Sequence, residues 1–211
     1  MDCFSLTGNQ PVLRAESLEV WRGGICLFSE LNFELHPGQV ALVTGANGSG
    51  KTTLLRVLAG LTIPTAGAAT WAGTVIQRVE GPDRSKVTYQ GHLDGLKKDL
   101  TVEENLDFYR AFWNSREPID YLLEQLRLDD CRDRQVRYLS AGQRRRVALG
   151  CMRIKPAQLW LLDEPLTNLD RKGSLLVADW LAQHAAAGGL AVVATHQREH
   201  LIQSASIEIE L

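Results

Sequence analysis

The chain has 211 residues, 45% of them apolar and 23% charged, with a formal net charge of −2. That length holds one domain, or a domain with a small subdomain, and can bury a proper core. A balance so near neutral argues against an electrostatic grip on nucleic acid or anionic lipid as the main activity.

The four cysteines (Cys3, Cys26, Cys131 and Cys151) are scattered, with no CxxC pair and no metal-ligand spacing. They read as reduced thiols of a cytosolic compartment. The first sixteen residues lack the basic region and apolar stretch of a secretory signal. Apolar runs such as Leu190 to Ala194 are far shorter than the ~20 residues of a membrane-spanning helix. A role at a membrane would therefore need another polypeptide to hold the chain there.

In chain order, Leu31, Phe33 and Leu35 alternate with polar residues, the period of a half-buried strand. His36-Pro37-Gly38 is turn chemistry. Val40 to Val43 is a short, continuous apolar run, as expected for a strand covered on both faces. A glycine-rich segment, Gly45 to Gly50, leads into a predicted helix over 52–61. Thr101 and Glu104 have the spacing of a helix capping box, with Val102, Leu106, Tyr109 and Trp113 at helical spacing beyond it. Pro118 opens a second helical pattern, with Ile119, Leu122, Leu123 and Leu126 on one face. Ser140 and Gln143 form another capping box, followed by Val147, Cys151 and Ile154 on one stripe. Strand signals return at Leu159 to Leu162, Leu190 to Ala194 and the alternating Ile207, Ile209 and Leu211. Among these last strands, Leu176, Val177, Trp180, Leu181 and His184 outline an amphipathic helix. Strands alternating with helices predict an α/β fold on a mainly parallel sheet. The helical stretch from about 91 to 139 reads as an insertion between core segments 1–90 and 140–211.

Two motifs carry chemistry. Gly45, Ala46, Asn47, Gly48, Ser49, Gly50, Lys51 and Thr52, with Thr53 behind them, fit the P-loop pattern GxxxxGK[ST]. Glycines let backbone N–H groups turn inward and cradle phosphates at a helix start, where the dipole favours negative charge. Lys51 would reach the β- and γ-phosphates, and the Thr52 hydroxyl would ligate Mg²⁺. The apolar run from Leu159 ends in Asp163 and Glu164. Asp163 is thereby predicted at the sheet edge beside the P-loop, where it can hold Mg²⁺, with Glu164 placed to polarise the attacking water.

These two motifs alone would fit many kinases and GTPases. The discriminating piece is Leu139-Ser-Ala-Gly-Gln143 followed by Arg144, Arg145 and Arg146. With it the chain resembles the ABC ATPase family, whose signature is LSGGQ, over essentially its whole length. The family's parts stand in its order: P-loop, Gln90, signature, Asp163-Glu164, Leu169-Asp170 and His196. Ala141 replaces a signature glycine and is still small enough for close backbone approach. The resemblance implies a P-loop fold with antiparallel N-terminal strands and an inserted helical subdomain, using ATP and Mg²⁺. It also implies that two copies meet head to tail. Ser140, Gly142 and Gln143 of one would face the γ-phosphate held by the other. Gln90 would sense Mg²⁺ and the water, and His196 would hold the γ-phosphate. Trp21 is open between stacking on adenine, as an aromatic near this position does in the family, and a core or surface role. The three arginines read as a solvated helix face that helps order the signature, not as a nucleic-acid site.

The run Gln90 to Thr101 and on to Leu106, with the signature and the short length, is similar to the ATP-binding subunit of the bacterial cytochrome c maturation system. That resemblance implies docking on integral membrane subunits of a haem-handling complex at the cytoplasmic face of the inner membrane. There, hydrolysis accompanies haem export or release of a haem-loaded chaperone. CxxCH is absent, so no direct haem ligation is expected, and His92 reads as a loop histidine. A soluble ABC ATPase acting on DNA or ribosomes typically carries two cassettes or a long helical insertion. This chain has one cassette and a short insertion.

Overall fold

The computed structural model describes residues 12–202 and 205–211. Cys3 and most of the segment read as lacking a signal lie outside the described residues. Cys26, Cys131 and Cys151 are unbonded to one another.

Two antiparallel strands come first, β1 (Leu13–Arg22) and β2 (Ile25–Leu35), followed by β3 (Val40–Thr44) and α1 (Lys51–Leu58). Next come β4 (Ala66–Trp71), β5 (Thr74–Val75), the short α2 (Gly81–Ser85) and β6 (Val87–Gln90). Helices α3 (Val102–Phe112), α4 (Ile119–Leu126) and α5 (Ala141–Ile154) fill the predicted helical region and the signature. Then β7 (Leu159–Asp163), α6 (Arg171–Ala186), β8 (Leu190–Ala194) and β9 (Ile207–Glu210) complete the chain.

Five of these strands form a parallel sheet in the order β6-β7-β8-β3-β9, and four form an antiparallel sheet in the order β2-β1-β4-β5. The continuous apolar runs have a physical cause. In β3, Val40 and Leu42 pack under α3 to α6, whereas Ala41 and Val43 pack toward α1 and the antiparallel sheet. The same alternation holds for Trp160 and Leu162 against Leu159 and Leu161. A strand buried on both sides has no solvent face and so no polar alternation.

Both predicted capping boxes form. Thr101 Oγ1 accepts from the Glu104 N–H while Glu104 accepts from the Thr101 N–H, at 3.1 and 2.8 Å. The predicted first helix is shorter than its pattern. It ends at Leu58, and Gly60 follows in the left-handed region (φ 67°), which releases the chain toward β4. Among the described residues no helix is long and apolar enough to cross a membrane.

His184, predicted on the amphipathic face of α6, stacks on Trp160 with ring centroids 3.9 Å apart. Its Nε2 lies 3.1 Å from the carbonyl oxygens of both Gln158 and Leu190, tying α6 to the sheet's amino edge. Burial disfavours the imidazolium and pushes its pKa down to about 4, against the two carbonyl contacts that favour the proton. The folded value is thus below the unfolded one, so His184 contributes its full stability above pH 6.5. The contribution is lost as pH falls toward 4. The difference amounts to about 3 kcal/mol. Urea unfolding of wild type and His184→Gln at pH 7 and pH 4.5 should show a shallower pH slope for the variant. Parallel slopes would mean that His184 does not carry the pH dependence.

Candidate functional site

Parallel strands deliver their carboxyl ends to one edge, and the register here sets those ends in a row. Val43 pairs with Ala194, and Ala194 with Asp163. The segments leaving these strands therefore open into a common cleft, lined by Asn47, Gly48, Gly50, Lys51, Thr52 and Thr53 from one loop. Asp163, Glu164, Thr167 and His196 line it from the others, with His92 and Leu27 at its walls.

The loop from Gly45 to Gly50 is held by its glycines, with φ of 141° at Gly45, 84° at Gly48 and 107° at Gly50. Side-chain-bearing residues are strained in that region, and a Cβ on Gly50 would press on Leu27 and Phe28 at 3.1 Å. Gly50 caps α1 with no side-chain acceptor, and the first turn holds no acidic residue. An open helix start of this kind is an anion site. The Ser49 Oγ is buried without a hydrogen-bond partner, a donor left for a phosphate oxygen. Lys51 is 8% exposed, and its Nζ donates to Gly45 O and Ala46 O at 2.7 and 2.9 Å.

Asp163 is 1% exposed, and its Oδ2 accepts no hydrogen bond. A buried carboxylate oxygen that accepts no hydrogen bond is suited to hold a cation. With the Thr52 hydroxyl it offers the hard oxygen ligands that Mg²⁺ prefers, so the residues present fit the ion. Glu164 follows in the left-handed region (φ 48°), its N–H donating to Ala194 O at 2.8 Å. A non-glycine residue there costs on the order of 1–3 kcal/mol. The strain turns the carboxylate into the cleft, where Oε2 lies 2.9 Å from the Nδ1 of His196.

Other predicted residues stand elsewhere. Gln90 is buried, but its amide turns away from the P-loop, with Nε2 3.3 Å from Gly91 O and 3.4 Å from Leu93 O. It lines a neighbouring hollow with Leu93, Tyr109 and Trp113. Trp21 is half-exposed, gives its indole N–H to Glu19 and is not among the residues lining the cleft. His92, read as a loop histidine, is in the cleft: its Nε2 lies 3.3 Å from Asp163 Oδ2 and 3.4 Å from Thr52 Oγ1.

At the signature, Ser140 Oγ accepts from the Gln143 N–H at 3.2 Å and Gln143 Oε1 from the Ser140 N–H at 2.9 Å. The box leaves the N–H groups of Ala141 and Gly142 outside it. A Cβ on Gly142 would sit 2.8 Å from Asn168 O, which explains why this glycine stands while its neighbour is the exposed Ala141.

The reading of a solvated arginine face is overturned. Arg145 is 4% exposed. Its guanidinium donates to Pro165 O, Gly91 O, Asp163 O and Glu164 O, at 3.3, 3.2, 3.1 and 2.9 Å. It also lies 3.5 Å from Asp94 Oδ1. Burial draws its pKa down, and Asp94 opposes the shift. Arg144 donates to Leu139 O, and Arg146 pairs with Asp170 at 3.0 Å. The missed signal was spacing: Arg145, Ala148, Leu149 and Met152 fall at i, i+3, i+4 and i+7, an inward stripe of buried residues.

A phosphate cradle, a buried strand-end aspartate and a strained glutamate define a P-loop nucleoside-triphosphate hydrolase. The ABC transporter family profile matches residues 28–167. The chain is 42% identical over 95% of its length, and 93% of the relative's, to the cytochrome c biogenesis ATP-binding export protein CcmA of Nitrosococcus oceani. A protein of that name in Methylococcus capsulatus is 44% identical, covering 87% of this chain and 90% of the relative. An ATP-binding subunit of an ABC transporter has a similar solved fold, with TM-score 0.81 at 22% identity over 95% of this chain and 85% of the other. The chain belongs to the ABC transporter family and, within it, to the cytochrome c biogenesis ATP-binding export proteins.

Because one guanidinium holds four carbonyls from two segments, a point charge cannot replace it. Arg145→Lys should lose about 2–4 kcal/mol of unfolding free energy in urea, as expected when a buried, fully bonded charge loses its partners. A loss below about 0.5 kcal/mol, the usual size for a surface substitution, would show the bonds to be dispensable.

Proposed function

We propose that this chain is the ATP-hydrolysing subunit of a membrane ABC complex serving c-type cytochrome maturation, coupling turnover to haem export or release of a haem-loaded chaperone. The observation that carries the ATPase reading is the shared cleft at the sheet edge. There the glycine cradle, Asp163, Glu164 and His196 come together from separate strand ends. The maturation role is supported by the likeness to the cytochrome c biogenesis export proteins.

In this reading the triphosphate lies along Gly45 to Thr53, with the open start of α1 and Ser49 donating to its oxygens. Lys51 leaves its two carbonyls for the β- and γ-phosphates, exchanging neutral acceptors for charged ones. Thr52 and Asp163 would hold Mg²⁺, whose positive charge would offset charge on the phosphate oxygens. Glu164 orients the attacking water and takes up its proton, and His196 positions the glutamate and reaches the γ-phosphate. Trp21 is a candidate to stack on adenine.

A second copy completes the site. Its Ser140 hydroxyl and the N–H groups of Ala141 and Gly142 are the donors that the capping box leaves for a phosphate from outside the chain. Gln90, in the hollow beside the cleft, is the residue that would report to integral membrane partners. The exposed Leu93 at that hollow offers them apolar surface. Such partners would hold the chain at the cytoplasmic face of the bacterial inner membrane. Neither nucleic acid nor directly ligated haem has a part in this mechanism.

Two variants separate the parts. Glu164→Gln should bind ATP normally while turnover falls about 10²–10³-fold, roughly 3–4 kcal/mol of transition-state stabilisation. Turnover within a few-fold of wild type would remove Glu164 from its role. Ser140→Arg should bind ATP as a monomer yet fail to dimerise in size-exclusion chromatography with ATP. A dimer that still forms and hydrolyses would exclude the two-copy site.

A further inference from the structure

Among the side chains lining the cleft, His92 belongs to neither the phosphate cradle nor the hydrolytic pair. His92 stands two residues past the end of β6, and its Nε2 points at both groups read as holding the cation, Asp163 Oδ2 at 3.3 Å and Thr52 Oγ1 at 3.4 Å. Asp163 Oδ2 accepts no hydrogen bond although its residue is 1% exposed. Adjacent ligands of a six-coordinate ion at ~2.1 Å stand about 3.0 Å apart. Both distances from the imidazole nitrogen are thus within a few tenths of an ångström of the spacing between neighbouring ligands of one ion. Gln90, the last residue of β6, turns toward Gly91 O and Leu93 O instead.

We infer that His92 is a direct ligand of the nucleotide-bound divalent cation, through Nε2. This rests on the P-loop reading and deepens it. The loop after β6 then contributes an imidazole to the metal, in addition to the hydroxyl of Thr52 and the carboxylate of Asp163. A nitrogen in place of an oxygen shifts preference from Mg²⁺ toward Mn²⁺ and Co²⁺, which accept imidazole more readily. A neutral ligand also leaves the net charge around the phosphates unchanged, so nucleotide binding is not itself opposed. Arg145 supports the placement from behind, since it bonds Gly91 O, one residue before His92.

The test is electron spin echo spectroscopy of Mn²⁺ bound to the full chain with ADP, using protein grown with ¹⁴N- or ¹⁵N-histidine. The echo modulation should change with the isotope, and the change should vanish in His92→Ala and persist in His196→Ala. Mn²⁺ affinity in the presence of ADP should fall about tenfold in His92→Ala, a typical loss for a missing metal-shell group, while Mg²⁺ affinity moves less. Bound Mn²⁺ without histidine modulation, or modulation that survives in His92→Ala, would overturn the inference and leave the nucleotide site intact. Failure of Mn²⁺ to bind with ADP at all would overturn both.

Discussion

The parallel register of β3, β7 and β8 is the constraint on which the site depends. It aligns Val43, Asp163 and Ala194 across the sheet. Because the three strands run the same way, the segments leaving them emerge together. One becomes the phosphate cradle, one the carboxylate pair and one the loop of His196. Reversing or slipping any strand would send its functional residue to the far edge or the other face. The register is in turn fixed by burial on both faces, since residues of each strand feed the helical core and the α1 core alternately.

The two helix starts at this end of the molecule have different chemistry. Helix α1 begins at a left-handed glycine with no side-chain acceptor, so its N–H groups are free for an anion supplied with the nucleotide. Helix α5 begins at Ser140 with a closed capping box, which lets it stand exposed and ordered with no ligand present. In the proposed function the first would grip the triphosphate and the second would wait for one presented by another copy. Between them, Arg145 joins the body of α5 to the carbonyls of Asp163 and Glu164, so a shift of the signature helix bears on the backbone of the residues proposed to act in hydrolysis. That link makes the signature's position and Glu164's geometry parts of one arrangement.

The sequence made the cradle legible because only glycine tolerates the backbone angles at Gly45, Gly48 and Gly50. Strands were legible as unbroken apolar runs, and both capping boxes by their serine or threonine and glutamine or glutamate pairs. What the sequence concealed was orientation. Gln90 is the last residue of β6 and obeys the strand's pleat, which turns its amide toward the hollow beside α5. His92, past Gly91, is free of the pleat and reaches the cleft edge. No composition or spacing rule locates the end of a strand within two residues, so the roles of this pair could not be separated. Arg145 was concealed differently. Three arginines in a row look like a charged surface, and only the stripe formed with Ala148, Leu149 and Met152 marks the middle one as interior.

The central claim is that a triphosphate gripped by one copy is completed by the serine-headed helix of a second. The specific rate of ATP hydrolysis, measured across a wide range of chain concentrations at saturating ATP and divalent cation, tests it most directly. The rate per chain should rise with concentration and level off as the paired form fills. A rate per chain that is constant from the most dilute sample to the most concentrated, in a protein shown to stay monomeric, would contradict it.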